Sequence, residues 1–204
     1  MVQTKNLHSI LSDVFLGIYH QDVETASKNT HPLVGKLIAS SNLIEGMSYF
    51  DSEQSLPQRY FVQKYQNHKY NLQKGDIILT VKGVNRNKPI RINIVKENHE
   101  RYFISNNLMI LRIFPEAYNP HFLYAWLIGV GHKALAEMIN NRKISKQSIT
   151  DIVIPDVDIA TQNKIGETII QHLDATYWGR KTQYLQACMV IETISDIIET
   201  ERQI

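Results

Sequence analysis

The carboxy-terminal segment constrains the fold of this chain more than any other part of the sequence. Residues 161–203 contain no proline and repeat apolar side chains at alternating steps of three and four. The repeat comprises Ile170, Leu173, Tyr177, Tyr184, Ala187, Ile191, Ile194 and Ile198, and Arg180 is its one polar interruption. Such spacing, sustained over about four heptads, predicts one or two helices carrying a coiled-coil seam.

The seam needs a surface to pack against. Each large side chain fully buried on it contributes ~1.5–3 kcal/mol, and a seam left in water would form a large apolar patch. The pattern therefore predicts a partner helix. Packing of the seam on the helix's own domain is the alternative.

The residues before this segment predict strands. Residues 74–83 begin with a Lys-Gly-Asp turn, continue as a run of β-forming residues and end at Gly83. Residues 90–95 alternate apolar and polar, so the two segments predict a hairpin whose connection carries Arg86 and Lys88. Further strands are predicted within 33–39, 102–104 and 108–114, and short strands and loops within 48–72. Residues 11–17 are a short apolar segment that ends at Gly17.

The pattern becomes helical after Pro115. Residues 120–128 begin with proline and are apolar nearly all round, and a second helix is predicted over 132–140, ending at the Asn140-Asn141 pair. Ser145 or Ser148 opens a turn, and 152–155 form a brief strand. The fold class predicted is α+β: a mixed, β-rich domain with a small helical part over 1–158, followed by a helical segment over 159–204.

Charge is distributed unevenly along the chain although its net value is only +2. Residues 54–112 contain 11 Lys and Arg against 3 Asp and Glu, a net charge of +8. Residues 1–53 carry −3 and residues 151–204 carry −5. A basic block between acidic flanks predicts one surface that faces a polyanion, with other surfaces free for protein partners. Ordinary solvated charge is the alternative.

Composition narrows the cellular setting. The longest apolar stretch, 122–130, is too short to cross a bilayer, and the first twelve residues lack a signal-peptide pattern. The single cysteine, Cys188, fits a reducing compartment. We therefore expect a cytoplasmic protein.

Several fragments imitate catalytic motifs but lack their context. The run Asn119-Pro-His-Phe approaches an adenine methyltransferase signature, but histidine replaces a proline and no glycine-rich cofactor loop precedes it. Gly129 and Gly131 fit a dinucleotide fingerprint that should follow a strand, whereas here a helix is predicted before them. No acid is followed two residues later by lysine, so the common nuclease motif is absent, and the eight histidines have no metal-ligand spacing. The sequence predicts no enzyme, no cofactor and no metal.

The order of the segments resembles a target-recognition domain of the specificity subunits of type I restriction-modification systems. The matching segments are 11–17, 74–83, 105–112, 120–127 and, most specifically, 144–155 followed by 162–165 and a long helix. The family has further prolines after Pro155 and a glutamate before Gln162, where this chain has Asp156, Asp158 and Thr161. The usual subunit also holds two recognition domains and two spacer helices, whereas this chain has room for one of each.

The resemblance implies a non-catalytic protein that recognises double-stranded DNA. In the family, each recognition domain binds one half of a split site, and the helices set the spacing and dock separate adenine methyltransferase subunits; a restriction subunit is a further partner. A one-domain form would rebuild the two-domain shape as a homodimer through antiparallel helices. A protein-interaction module that has lost DNA recognition is the alternative.

Candidate DNA contacts come from the basic block and from a second basic position after the small helices. On the proposed hairpin and its loop they are Lys82, Arg86, Lys88 and Arg91; within residues 48–72, which are rich in polar and aromatic side chains, they are Arg59, Lys64 and Lys69; and farther along they are Arg142 and Lys143. Arg and Lys suit guanine and phosphate, while the neighbouring Asn and Gln side chains would suit adenine. Solvated surface charge is the alternative at each position.

Overall fold

A five-stranded sheet forms the centre of the molecule. The computed structural model describes residues 3–19, 36–50, 70–85, 89–99 and 102–201, with side chains at all of these except 36 and 191–201. The sheet contains β2 (Leu11–Leu16), β4 (Tyr49–Phe50), β5 (Ile77–Thr80), β6 (Ile92–Val95) and β8 (Leu108–Ile113), in the order β2-β8-β5-β6-β4. The predicted hairpin is confirmed, because β5 and β6 are antiparallel with Ile77 opposite Ile94.

Both faces of the central strands are buried, which explains their nearly continuous apolar sequence. Ile77 and Leu79 face one hydrophobic cluster, and Ile78 faces the other. Asn93 of β6 belongs to an alternating segment, yet its side chain is 0% exposed. Its Oδ1 accepts from the Ile44 N–H at 2.9 Å, and its Nδ2 donates to the carbonyls of Ile44 and Ser48. The amide therefore satisfies loop backbone that would otherwise be buried without partners.

Two small sheets flank the central one. Strand β1 (Thr4–Asn6) pairs antiparallel with β9 (Val153–Pro155), the strand just before the last helix. Strand β3 (Lys36–Ile38) pairs parallel with β7 (Tyr102–Ile104). The strands predicted within 33–39, 102–104, 108–114 and 152–155 are confirmed for the residues that the structure describes, and the apolar segment 11–17 contains β2.

The Lys-Gly-Asp turn before β5 is built around a buried ion pair. Gly75 has φ +87° and lies against Pro120, so a side chain there would be both strained and crowded. Asp76 is 1% exposed and receives bonds from Arg112 Nε at 2.8 Å and Nη2 at 2.7 Å. The Gln73 N–H donates to the same carboxylate. Asp76 thus joins the turn to β8.

Three short helices follow β8, and one differs from its predicted bounds. Helix α1 (Pro120–Ile128) is confirmed; the Asn119 side chain caps it by accepting from the N–H groups of His121 and Phe122. Helix α2 (Val130–Glu137) begins and ends earlier than the predicted 132–140. It ends early because Asn140 pairs with Lys143 in a turn, and the left-handed residues are Asn141 and Arg142. Ser145 caps α3 (Lys146–Thr150).

The carboxy-terminal segment is one helix, α4 (Ile159–Glu201). Asp158 Oδ1 accepts from the Thr161 N–H at 2.9 Å, which satisfies a free donor at the start of the helix. The first turns pack against α1 and the domain core, where Leu173 is 0% exposed and Gln162 1%. The architecture therefore agrees with the predicted α+β class, a β-rich domain followed by a long helix.

Candidate nucleic-acid interface

A tight turn brings two basic segments of the sequence together. Asn140 and Lys143 exchange both backbone hydrogen bonds at 2.9 Å, and the two residues between them have φ +47° and +62°. These features define a two-residue hairpin turn of type I′. The turn docks on the extension of β5, because the Ile144 N–H donates to the Val81 carbonyl at 2.8 Å and the Gly83 N–H donates to the Arg142 carbonyl at 2.9 Å.

This docking assembles what we call the basic surface: Lys82, Arg142, Lys143 and Lys146. Lys82 and Lys143 lie opposite each other in an antiparallel bridge, and Lys146 begins α3 three residues after the turn. Arg142, Lys143 and Lys146 are exposed and Lys82 is partly exposed. Two predicted basic positions, more than fifty residues apart in sequence, thus form one surface.

A groove runs along the basic surface. Its volume is about 560 Å³, and Lys82, Lys143 and Lys146 line it. Asn140, Asn141, Ser145 and Ser148 add polar groups, and Leu16, Met138 and Ile144 add apolar ones. No carboxylate is among these described lining residues. A groove with fixed positive charge and hydrogen-bonding side chains suits a phosphate backbone.

Tyr19 extends the same surface. Its side chain is 56% exposed, and the Lys82 Nζ lies 5.3 Å from the centre of its ring. The cation holds the ring beside the groove through a cation–π contact. An exposed aromatic ring beside lysines is a frequent element of nucleic-acid surfaces, where it contacts a sugar or a base.

Most of the described cations in the basic block already contact carboxylates. Arg91, a predicted DNA contact, donates from Nε and Nη2 to Glu45 Oε1 at 3.1 and 2.9 Å, and from Nη1 to two loop carbonyls. Lys96 bonds Asp174 and Arg112 bonds Asp76. Three of the described cations of the block are therefore held in internal pairs, and one of these, Arg91, borders a common depression with Lys82.

The other predicted DNA contacts lie outside the described residues. They are Arg59, Lys64, Lys69, Arg86 and Lys88. Their assignment stays a prediction, as does that of Lys82, Arg91, Arg142 and Lys143.

The first half of the predicted helix seam meets the chain's own domain. Leu173, predicted for the partner seam, is wholly buried in the core of its own chain, and Ile170 and Tyr177 are half-buried beside it. Arg180 Nη1 donates to Ser48 Oγ at 3.1 Å, which explains the polar interruption. Tyr184 and Ala187 continue the same side of the helix beyond the domain and are exposed. The side chains of Ile191, Ile194 and Ile198 lie outside the described residues, and the coiled coil stays a prediction.

A lysine fixes the helix to the sheet. Lys96, just after β6, bonds Asp174 Oδ1 of α4 at 2.6 Å. Its Nζ also lies 4.7 Å from the ring centre of Tyr177, 5.2 Å from that of Tyr49 and 5.3 Å from that of Trp178. A cation among three rings and a carboxylate holds α4 at a defined angle to the domain.

Sequence reasoning missed several of these residues. Lys146 follows the predicted Lys143 at a spacing that a short helix would place on the same side, so a signal was available. Tyr19 carried none, because its neighbour Lys82 is remote in sequence. Lys96 looked like one more charge of the basic block, and only the packing of α4 distinguishes it.

The described side chains include no group of three or more His, Cys, Asp and Glu that could hold a metal ion. Among described helices none is long and apolar enough to cross a membrane. His121 and Phe122 of the methyltransferase-like fragment are buried in the first turn of α1, with Asn119 as its cap. Gly129 joins α1 to α2, and Gly131 packs directly on Trp126, as expected for a helix–helix turn.

Comparison with solved structures identifies the fold. One match, 14% identical with a TM-score of 0.58, comes from a structure of the type I R-M system that concerns its assembly and conformational transition, and it covers 89% of this chain and 40% of that chain. The HsdS subunit from Thermoanaerobacter tengcongensis matches at 15% identity and a TM-score of 0.56, over 87% and 39% of the two chains. The type I restriction-modification S subunit from M. genitalium matches at 14% identity and a TM-score of 0.51, over 82% and 38%.

These likenesses establish the fold of type I specificity subunits, so the resemblance predicted from the sequence is confirmed at that level. No family model matches the sequence, and no curated protein matches it. The chain spans about 40% of the length of the chains it matches. That share agrees with the one recognition domain and one helix predicted here.

Proposed function

We propose that this chain is the sequence-specific DNA-recognition subunit of a type I restriction-modification system, in a form with one recognition domain. The observation that carries the proposal is the docking of the 140–143 turn on the extension of β5. It converts separate lysines and an arginine into one basic surface along a groove, within a fold shared with specificity subunits. Double-stranded DNA is the ligand that suits this arrangement.

The proposed role is recognition without chemistry, in the cytoplasm. The domain would bind one half of a split site, and separate methyltransferase subunits, and in some assemblies a restriction subunit, would act on the DNA. The matched R-M structure concerns complex assembly of a type I R-M system. In this chain α4 offers the partner surface. Tyr184 and Ala187 lie where the helix extends beyond the domain, on the side that the seam predicts, and both are exposed.

A homodimer completes the proposal. Two chains joined by antiparallel α4 helices would present two recognition domains related by a twofold axis. A symmetric protein binds a symmetric site. The proposed target is therefore an interrupted palindrome.

The experiment is selection from a randomised duplex library, with the purified chain alone and with the methyltransferase encoded beside its gene. Enrichment of a short interrupted palindrome is expected. Enrichment of a single half-site would keep DNA recognition and reject the dimer. No enrichment in either setting would reject DNA recognition and leave the interaction module, with α4 as its working surface.

Charge-reversal variants supply the control for this experiment. Lys82→Glu with Lys143→Glu should weaken binding to all duplexes by at least tenfold and flatten the dependence of log K on log salt by about two units, since each lost phosphate contact removes about 0.9. Lys133→Glu with Lys164→Glu changes the same net charge at two exposed lysines elsewhere. Equal effects of both pairs would show that binding follows net charge and not the basic surface.

A further inference from the structure

The turn at 140–143 contains a residue that its backbone disfavours. Both central residues have positive φ, +47° at Asn141 and +62° at Arg142. Turns of this type prefer Asn at the first central position and Gly at the second. Asn141 meets the preference, whereas Arg142 occupies the position where glycine is favoured because its Cβ crowds the backbone.

The surrounding structure holds Arg142 in this conformation. Its carbonyl accepts from the Gly83 N–H, and the two cross-turn bonds of Asn140 and Lys143 close the loop. Ile144, the next residue along, is 4% exposed and bonds the Val81 carbonyl. The backbone of the turn is thus fixed on both sides, while the Arg142 side chain is exposed at its tip.

A strained residue held rigidly at an exposed tip indicates selection for its side chain and not for the fold. The tip is a tight turn between α2 and α3, closed by the single Asn140–Lys143 bridge, and it presents the Arg142 side chain to solvent. A guanidinium carries a planar pair of donors that matches the O6 and N7 acceptors of guanine. The neighbouring Lys82, Lys143 and Lys146 are point charges on flexible stems, which suit phosphates.

We infer that Arg142 is a specificity-determining residue that recognises a guanine in the major groove, while the three lysines of the basic surface contact the backbone. This inference rests on the proposed function. It divides that function between one side chain that specifies sequence and three that position the domain.

The test compares Arg142→Gly with the wild-type chain in the same duplex selection, followed by binding to the selected site and to its single-base variants. Arg142→Gly should lose about tenfold or more of the preference for guanine at one position in each half-site and become tolerant there. Preferences elsewhere should persist. Its denaturation midpoint should equal or exceed that of the wild type, because glycine suits the left-handed backbone.

Two further variants keep the outcome interpretable. Lys143→Ala should weaken binding uniformly across sequences, and Lys164→Ala, which removes one charge from an exposed position on α4, should change nothing. Arg142→Lys retains the charge without the planar fork, so it should keep general affinity and lose the guanine preference. Arg142→Lys therefore tests the role of the guanidinium in the guanine preference even if Arg142→Gly folds poorly.

The results separate this inference from the proposed function. A wild-type chain that selects a site, and whose preferences survive both Arg142 substitutions, would overturn the role of Arg142 and leave DNA recognition standing. A wild-type chain that selects nothing would overturn both.

Discussion

Burial of individual polar residues gives this domain a pH response. His121, the second residue of α1, is 8% exposed, and its ring meets the edge of Tyr49 at 6.3 Å. Burial, with a smaller effect of the Lys74 charge, lowers its pKa to about 4 against the opposing effect of Asp174. The folded domain therefore holds this histidine neutral where an unfolded chain would protonate it.

The sign follows from proton linkage. The unfolded histidine binds a proton near pH 6.5 and the folded one near pH 4, so above about pH 6.5 the histidine is neutral in both states and the free energy of unfolding is at its full value. As the pH falls from 6.5 to 4, only the unfolded state gains this proton, and the free energy of unfolding decreases by about 3 kcal/mol at pH 4.

Urea unfolding of His121→Gln should therefore show a weaker fall in the free energy of unfolding between pH 7 and pH 4 than the wild type. His172→Gln, which replaces an exposed histidine on α4, is the matched control. Identical pH profiles for His121→Gln and the wild type would contradict the assignment.

Secondary-structure elements divide into those that local pattern predicts and those that tertiary contacts decide. Strands β5 and β8 and helices α1 and α4 follow from local signals: β-branched runs, a proline at a helix start and a proline-free heptad segment. The end of α2 does not, because backbone pairing with Lys143 competes with helix continuation at Asn140. Tertiary contact overrides helical propensity there.

The candidate site was predictable only in part, because tertiary contacts decide which charged residues become neighbours. Lys82 and Lys143 were identified as basic residues, but no local pattern shows that Val81 bonds Ile144 and makes them neighbours. The internal pairing of Arg91, Lys96 and Arg112 was equally hidden, since each carboxylate partner lies far along the chain. Sequence supplies the charges, and packing decides which of them remain available to a ligand.

Helix α4 has two exposed apolar sides with different expected roles. Tyr184 and Ala187 continue the side that meets the domain, whereas Leu185 and Met189 lie roughly 100° or more around the axis from it. If the seam joins two copies, Tyr184→Glu with Ala187→Glu should raise the dimer dissociation constant at least tenfold. At concentrations where both proteins are monomeric the unfolding midpoint should stay unchanged, because these side chains are exposed in the single chain.

Light scattering over a concentration series measures the dimer dissociation constant. The matched control combines Leu185→Glu with Met189→Glu. That pair adds the same charge on the other side of the helix and should leave the dimer intact. A dimer lost only in the Leu185 and Met189 variant would move the interface to that side.

At the scale of the whole molecule, α4 is one continuous helix of fixed length. Its 43 residues extend about 65 Å at 1.5 Å per residue, and Lys96 fixes its first half to the β-rich domain. In a dimer joined through α4 the separation of the two basic surfaces would be set by the protein and not by the DNA.

Binding should therefore depend on the phase of the two half-sites. Inserting 5 bp between them rotates one by about half a turn of the duplex and should weaken binding at least tenfold, whereas a single half-site should be unaffected by flanking insertions. Fluorescence anisotropy with labelled duplexes measures both. Equal affinity at every spacing would contradict a fixed distance between the two basic surfaces of the dimer.

The pairing of β1 with β9 has a consequence for synthesis of the chain. Thr4 pairs with Pro155, so the first strand waits for its partner until nearly the whole domain has left the ribosome. At translation rates of ~5–20 residues per second that interval is on the order of ten seconds. Thr4, Lys5 and Asn6 are all polar, and an unpaired edge of such composition resists association with other nascent chains. The strand that waits through this interval is therefore one whose composition tolerates exposure.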